Sequence, residues 1–474
     1  MTKQIFHTGA ARIKSWVFSW RWTLGFLFVI LLAIAVRVPF LHLGHVDEVH
    51  TIGRALQIIY TGELNPKFFY HPSGTMYITI PWNIMALASM SREVGGRPGV
   101  GNSVSPLDMF KREYPQPVQH NLYEKPVSYY WDMFRAKVRR YNMLLIPVNI
   151  LLLAYIGYHA GLYFPALAAA ALLAFCGASI RDSVYVSVNS TTATFNTLAF
   201  AAIALYASRP FVMTFGRWLL QLAVISLFIG LAVACKYNAG TFLLMPIIFA
   251  AMTGWNQPKA QWIGLEKFLL AIFVCILAMS AGFTLLSPYW FQEMPTFIHD
   301  VLYQVWYFKN GHKEYNTHQP GLEMAWVSIQ SIARQMTWVG LIASIASWMY
   351  LSWAGFLRLE QFSLQRLVLV PGLLGCLAFL LLMFNQAVFF DRNFSIMWTI
   401  FFFCCASGWW IAAGLIAERL RVQNVRRFQR IVTTVLLLYC IIKANLIDPF
   451  LFGSSRGWYE QNNTVLDALK YWFT

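Results

Sequence analysis

Residues 22–73 read WTLGFLFVILLAIAVRVPFL followed by HLGHVDEVHTIGRALQIIYTGELNPKFFYHPS. The first block, 22–41, is apolar apart from Thr23 and Arg37. Roughly 20 mainly apolar residues cross hydrocarbon as a helix, because there every backbone group must bond internally. The chain thus enters the membrane almost at once, and the second block is polar ground on the far side. The same pattern recurs along the chain, giving about eleven expected spans. They lie near 22–41, 140–163, 165–184, 190–208, 217–235, 239–254, 268–287, 334–355, 366–389, 394–416 and 431–446. The segment 74–90 is apolar too, but Pro81 and Asn83 make it either a partial span or a helix lying in the interface.

Composition agrees. The 474 residues are 58% hydrophobic, 17% aromatic and 12% charged, against roughly 25% charged in average soluble domains. Mean hydropathy is +0.52. A disordered chain, a disulfide scaffold, a coiled coil and a soluble nucleic-acid binder are excluded. The expected fold class is an all-α integral membrane bundle. Its net charge of +16 is then a question of sides. Lys3, Arg12, Lys14 and Arg21 precede the first span. Arg209, Arg217, Lys259, Lys267, Arg358, Arg366 and the run Arg419–Arg430 fall on the same side of the bundle. The positive-inside rule makes that side cytoplasmic, with the N-terminus in and the C-terminus out. The first span lacks a small-residue cleavage site and does not read as a removed signal. The seven cysteines all lie in apolar spans, as packing residues.

Polar complexity concentrates on the other side, in outer loops near 42–139 and 288–333. Eight of the ten histidines map there. Asp47 and Glu48 are adjacent carboxylates just past the first span. Val49, Ile52, Leu56 and Ile59 then recur at helical spacing, Gly62 can end that helix, and Asn65-Pro66 turns the chain. This predicts a short amphipathic helix along the membrane, with Asp47 at its N-cap. Phe68-Phe69-Tyr70-His71-Pro72 follows. Later span ends on this side carry Lys236 in ACKYNAGTF and Arg392 in FFDRNFS. Cations there either snorkel to water or hold an anionic head group such as a lipid phosphate. His42, His45, Asp47 and His50 have spacings that a divalent metal could use, although histidines at an interface commonly bond only backbone or water.

Taken in order, Val46-Asp47-Glu48, Thr61-Gly62-Glu63-Leu64-Asn65-Pro66, His71-Pro72, Lys236-Tyr237-Asn238, Ser287-Pro288-Tyr289 and Asp391-Arg392-Asn393 resemble the GT-C superfamily of glycosyltransferases. The resemblance is nearest to the dolichyl-phosphate-mannose protein mannosyltransferases and more distant to the lipid A aminoarabinose transferases. It implies a transmembrane catalytic domain over 1–446 of GT-C type, with interfacial amphipathic helices in the first outer loop, and an outer-facing tail over 447–474. It implies transfer of a sugar, hexosyl or mannosyl in type, from a polyprenyl-phosphate donor to a hydroxyl of a protein, lipid or glycan. Asp47 is the expected base and Glu48 its orienting neighbour. Lys236 and Arg392, with Arg54 and Arg140 as helpers, are the expected phosphate ligands. His71, Tyr237, His312 and His318 are expected near the substrates. No cofactor is required and no nucleic-acid partner is expected.

The chain departs from the family at one place: Asn189 stands where members often carry Asp, with Asp182 seven residues earlier. It also lacks the lumenal accessory domain of the eukaryotic mannosyltransferases, which favours a prokaryotic plasma membrane over the endoplasmic reticulum. The rival reading is a flippase or secondary transporter for an anionic lipid-linked substrate. It accounts for the boundary cations but not for a carboxylate pair on an outer loop.

Overall fold

The computed structural model describes residues 20–41, 48–95, 129–209, 214–255, 264–311, 317–354 and 363–444. Among them the regular structure is helical throughout, with one isolated bridge between Thr317 and Val388. The α-helices, in chain order, are α1 Trp20–Arg37, α2 Arg54–Thr61, α3 Gly74–Gly95, α4 Tyr129–Asn142, α5 Leu145–Ala160, α6 Tyr163–Phe175, α7 Gly177–Val184 and α8 Val188–Ala207. They continue with α9 Phe215–Val233, α10 Leu244–Trp255, α11 Leu265–Leu286, α12 Met294–Asn310, α13 Leu322–Trp353, α14 Leu364–Phe384, α15 Trp398–Arg419 and α16 Val425–Ile442.

Seven helical stretches are long and apolar enough to cross a membrane: Trp20–Phe40, Met133–Ala160, Phe215–Val233, Tyr237–Gly254, Leu265–Leu286, Leu364–Phe384 and Trp398–Arg419. The bent pair α6–α7 makes an eighth if it is one span. The chain is a multi-pass membrane protein. The other three expected spans are present as helices but are less uniformly apolar. α8 opens on VNSTTATFNT, α13 is interrupted at Thr337, and α16 opens on VRRFQR.

The expected single span 165–184 is instead two helices bent by 66°. Cys176 turns to extended geometry between them. Two distant side chains hold the bend. Gln335 accepts from the Ala178 N–H at 3.0 Å. Arg37 donates to the Leu173 and Ala174 carbonyls at the end of α6 and to Ser179 and Ser183 on α7, with Ala33 completing the set. A guanidinium has five N–H donors, and each has an acceptor here, so the charge is buried at the helix end where the backbone dipole favours it. α9 and α11 pack closely because Gly230 and Gly282 face one another; a Cβ on either would run into a backbone carbonyl of the other helix.

The first outer loop has a small core of its own. Ile52 and Leu56 from α2 pack with Ala86 and Met90 of α3, Phe134 and Val138 of α4, and Val186. The amphipathic helix predicted after Asp47 therefore forms, opening with a π-helical turn at Val49–Gly53 and ending at Gly62 in the left-handed conformation (φ 68°). Its apolar face, expected along the membrane, is covered by protein. Segment 74–90 is a continuous helix through Pro81, and its Asn83 donates to the Ile52 carbonyl at 3.2 Å. Gly74 docks this loop on the bundle: its N–H reaches the Ala234 carbonyl at 2.8 Å, and a Cβ would stand 2.5 Å from that oxygen.

Candidate active site

Asp47, His42 and His45 lie outside the described residues, as does His312. Glu48, next in sequence to Asp47, is fully buried. Its two carboxylate oxygens accept from Arg139 Nε at 2.8 Å and Nη2 at 2.5 Å, and one also accepts the Val186 N–H at 3.1 Å. The Arg139 Nη1 donates to the Leu41 carbonyl at 2.8 Å. One guanidinium thus clasps the two residues that flank 42–47, the end of the first span and the start of the loop helix. Such a pair is strong when both partners are satisfied and costly to break on one side. Arg140, the cation singled out from sequence, is exposed. Arg139 is the one turned inward, and the sequence reading passed over it.

A second polar centre forms where spans meet the outer side. Lys236 has extended backbone between α9 and a 3-10 turn at Tyr237–Leu243. Its Nζ donates to Asn189 Oδ1 at 2.6 Å and Asn393 Oδ1 at 2.7 Å. Asn393 and Arg392 belong to the 3-10 turn Asp391–Ile396 that leads into α15, and the Arg392 guanidinium stands 4.5 Å from the Phe390 ring centre. Lys236, Asn189 and Asn393 are therefore brought together from three elements far apart in sequence, with Arg392 next in chain to Asn393.

That turn is fixed from behind by groups the sequence reading left unassigned. Arg181 donates to Asp391 Oδ2 at 2.9 Å and to Asp182 Oδ1 at 2.7 Å. The other oxygen of Asp182 accepts from the Ser395 hydroxyl, and its backbone carbonyl accepts from Ser190 at 2.5 Å. Burial by itself would raise the Asp391 carboxyl. The Arg181 guanidinium, with Arg392 adding, outweighs that and holds it below its ordinary range. Asp182 is thus a buried bracket between α7 and the 391–396 turn.

A third cluster is aromatic. The His50 ring stacks on Phe68 with centres 5.5 Å apart, and His71 is 5.9 Å from His50 and 6.2 Å from Phe68. The Arg54 guanidinium lies 5.0 Å from the Phe68 ring centre, and burial lowers its pKa. Phe69 is held at both ends of its peptide units: its N–H donates to Asp300 Oδ2 at 3.0 Å and its carbonyl accepts from the Tyr237 hydroxyl at 2.8 Å. Tyr237, expected near a substrate, is in this structure a hook joining the aromatic cluster to the segment that carries Lys236. His318 bonds Glu323 through Nδ1 at 2.9 Å, its N–H reaches the Ala387 carbonyl at 2.8 Å, and its ring lies 6.3 Å from Phe389. It stands on the approach to the 391–396 turn. Among the described residues no group of three His, Cys, Asp or Glu is placed to hold a metal ion.

A helical bundle with broken spans, a separately packed first outer loop and polar groups gathered where spans and loops meet is a fold shared with solved oligosaccharyltransferases. Its likeness to solved structures is specific: the oligosaccharyltransferase of Archaeoglobus fulgidus in its apo form aligns over 91% of this chain and 56% of its own, at TM-score 0.51 and 12% identity. The same organism's oligosaccharyltransferase AglB, in complex with an inhibitory peptide and a dolichol-phosphate, aligns over 90% of this chain and 55% of its own, at TM-score 0.50 and 11% identity. This chain spans little more than half the length of those enzymes. ArnT of Cupriavidus metallidurans, bound to undecaprenyl phosphate, aligns over 95% of this chain and 85% of its own at TM-score 0.49 and 10% identity. No family model matches the sequence, and no curated protein does.

Proposed function

We propose that this protein is a membrane glycosyltransferase that moves a sugar from a polyprenyl-phosphate donor to an acceptor hydroxyl on the outer face of its membrane. The observation that carries the reading is the Lys236 centre: an ammonium fixed by Asn189 and Asn393, next in chain to Arg392, on the fold of enzymes one of which is seen with a dolichol-phosphate. Such cations suit a phosphate head group at the membrane boundary, where exclusion of water strengthens their hold.

The chemistry then needs one base. A sugar on a phosphate already has a good leaving group, so a strong general acid is dispensable. Asp47 takes the acceptor proton as the hydroxyl oxygen bonds to the anomeric carbon. The bond from that carbon to the phosphate oxygen breaks, inverting the centre, as an inverting glycosidase does with water in the acceptor's place. The charge that develops on the departing polyprenyl phosphate is met by Lys236 and Arg392. Glu48, held by Arg139, positions the loop that carries Asp47. The His50–Phe68–His71 cluster with Arg54 offers stacking faces and donors for a sugar.

The test is an assay of the purified protein in liposomes with radiolabelled polyprenyl-phosphate mannose and a hydroxyl acceptor. Asp47→Asn is expected to abolish transfer while donor binding persists. Normal turnover by that variant would sink the assignment of the base. Lys236→Ala is expected to weaken apparent donor affinity by 10-fold or more, on the order of the 1.5–3 kcal/mol of a charged hydrogen bond. An unchanged donor affinity removes the phosphate role.

A further inference from the structure

We propose that helix α12, Met294–Asn310 in the second outer loop, is seated in the outer leaflet of the bilayer, its exposed apolar arc among lipid chains. The helix has two faces with different commitments. On the inner one Phe297 meets Phe69 and Tyr237, Asp300 holds the Phe69 N–H, and the Phe308 carbonyl accepts from Ala387. On the outer one Ile298, Leu302, Val305 and Trp306 follow one another at helical spacing and are about half exposed or more, Leu302 at 61%. A patch of that kind marks an interaction surface.

Continuity identifies the occupant. Preceding α12 in the chain is α11, the most lipid-exposed of the spans, with Phe273, Leu277 and Leu285 uncovered and Phe291 at 71% just before the helix begins. Following it is α13, with Leu322 at 92% and Trp326 at 54%. Along the chain the apolar arc of α12 thus lies between two helices whose own apolar side chains are bare, and the lipid that covers those helices is the occupant we assign to it. Its ends suit the interface. Tyr303 and Trp306 are the aromatic types that settle at head-group level, and Lys309 in the last turn is long enough to reach lipid phosphate. The placement does not depend on the glycosyltransferase reading.

The seven native cysteines are all buried, so a nitroxide label can be directed to Leu302→Cys or Val305→Cys in the full chain, reconstituted in phosphatidylcholine–phosphatidylglycerol vesicles, with Leu277→Cys as a lipid-facing reference. At 302 and 305 collisions with oxygen are expected to exceed those with a water-soluble nickel chelate, as at 277. Nickel collisions equal to or above oxygen would put the arc in water and overturn the proposal. Low collisions with both, with dipolar broadening, would mean that a second copy covers it, and would overturn it equally. Independently, brominated lipid is expected to quench less of the total fluorescence in Trp306→Phe than in the native chain; equal quenching counts against the proposal.

Discussion

At the scale of single residues, the clasp by Arg139 makes the sharpest prediction. Its guanidinium and the Glu48 carboxylate are both buried, so removing one partner strands the other. Glu48→Gln or Arg139→Gln is expected to destabilise by about 3–5 kcal/mol, read as a fall in the thermal midpoint of the detergent-solubilised protein. Arg139→Lys is expected to rescue little, because an ammonium cannot reach both oxygens and the Leu41 carbonyl in the same fork. Asp391 makes a second prediction, with the sign set by its environment. Its folded pKa is held low by Arg181 despite burial, so its contribution is complete above the unfolded value of about 3.9. It is lost as pH falls through the lower folded value. The difference in thermal midpoint between the native chain and Asp391→Asn is expected to shrink below about pH 4. A constant difference from pH 7 downward would remove the charge interaction as its cause. Arg139 also shows what sequence reading missed. On α4, Phe134 and Val138 mark an inward face, but at about 100° per residue Arg139 falls roughly 120° from its centre and Arg140 roughly 140°, so helical spacing does not tell the two arginines apart. What selects Arg139 is its pair of partners, Glu48 and the Leu41 carbonyl, more than ninety residues earlier in the chain, and no local pattern announces them.

At the scale of elements, apolar runs made most helices legible, since hydrocarbon permits little else. The breaks were not legible, because their partners come from elsewhere in the chain. The bend at Cys176 depends on Arg37 and Gln335, more than a hundred residues away on either side. The interruption of α13 at Thr337 is similar. This β-branched residue has φ 66° and ψ 157°, while its hydroxyl accepts from the Gly340 N–H at 3.2 Å and so caps the second half of the helix. Such a conformation is glycine territory and costs on the order of 1–3 kcal/mol, whereas exchanging a threonine cap for glycine costs only a few tenths. Thr337→Gly is therefore expected to raise the thermal midpoint; a fall would show that the cap outweighs the backbone strain. The Gly230–Gly282 contact is the converse case. Gly282→Leu forces α9 and α11 apart and is expected to cost about 1–3 kcal/mol or more, measured in the same melts.

At the scale of the whole molecule, the buried polar clusters gather where the long loops meet the spans, while the apolar bulk supplies the frame. The two outer loops are bound to one another: Asn65 donates to Glu293 at 2.9 Å, Ser73 and Ser287 share a hydrogen bond at 2.8 Å, and Phe69 hangs between Asp300 and Tyr237. In the sequence, charge asymmetry sets the histidine-rich loops on the side opposite the basic segments. Their mutual grip was not legible there, because it runs through single hydrogen bonds between residues some 160 to 230 apart. The eleven spans and inside N-terminus expected from the sequence predict opposite behaviour of the two ends. A reporter active only outside is expected to work when fused after residue 474 and to fail when fused before residue 1; the same result at both ends would mean an even count.

Arg37 has a consequence for how this membrane protein is made. Its acceptors on α6 lie up to 137 residues further along the chain. At 5–20 residues per second, roughly 7–27 s pass between synthesis of the arginine and of the carbonyls that receive it. Through that interval the first span is in the bilayer with a cation near its outer end, which must reach up to lipid head groups and water. Only when the third hydrophobic segment inserts and bends can the guanidinium turn inward and leave them. Biogenesis of this bundle therefore has a waiting step at its first helix, and the side chain that later fastens the bend is the one kept waiting.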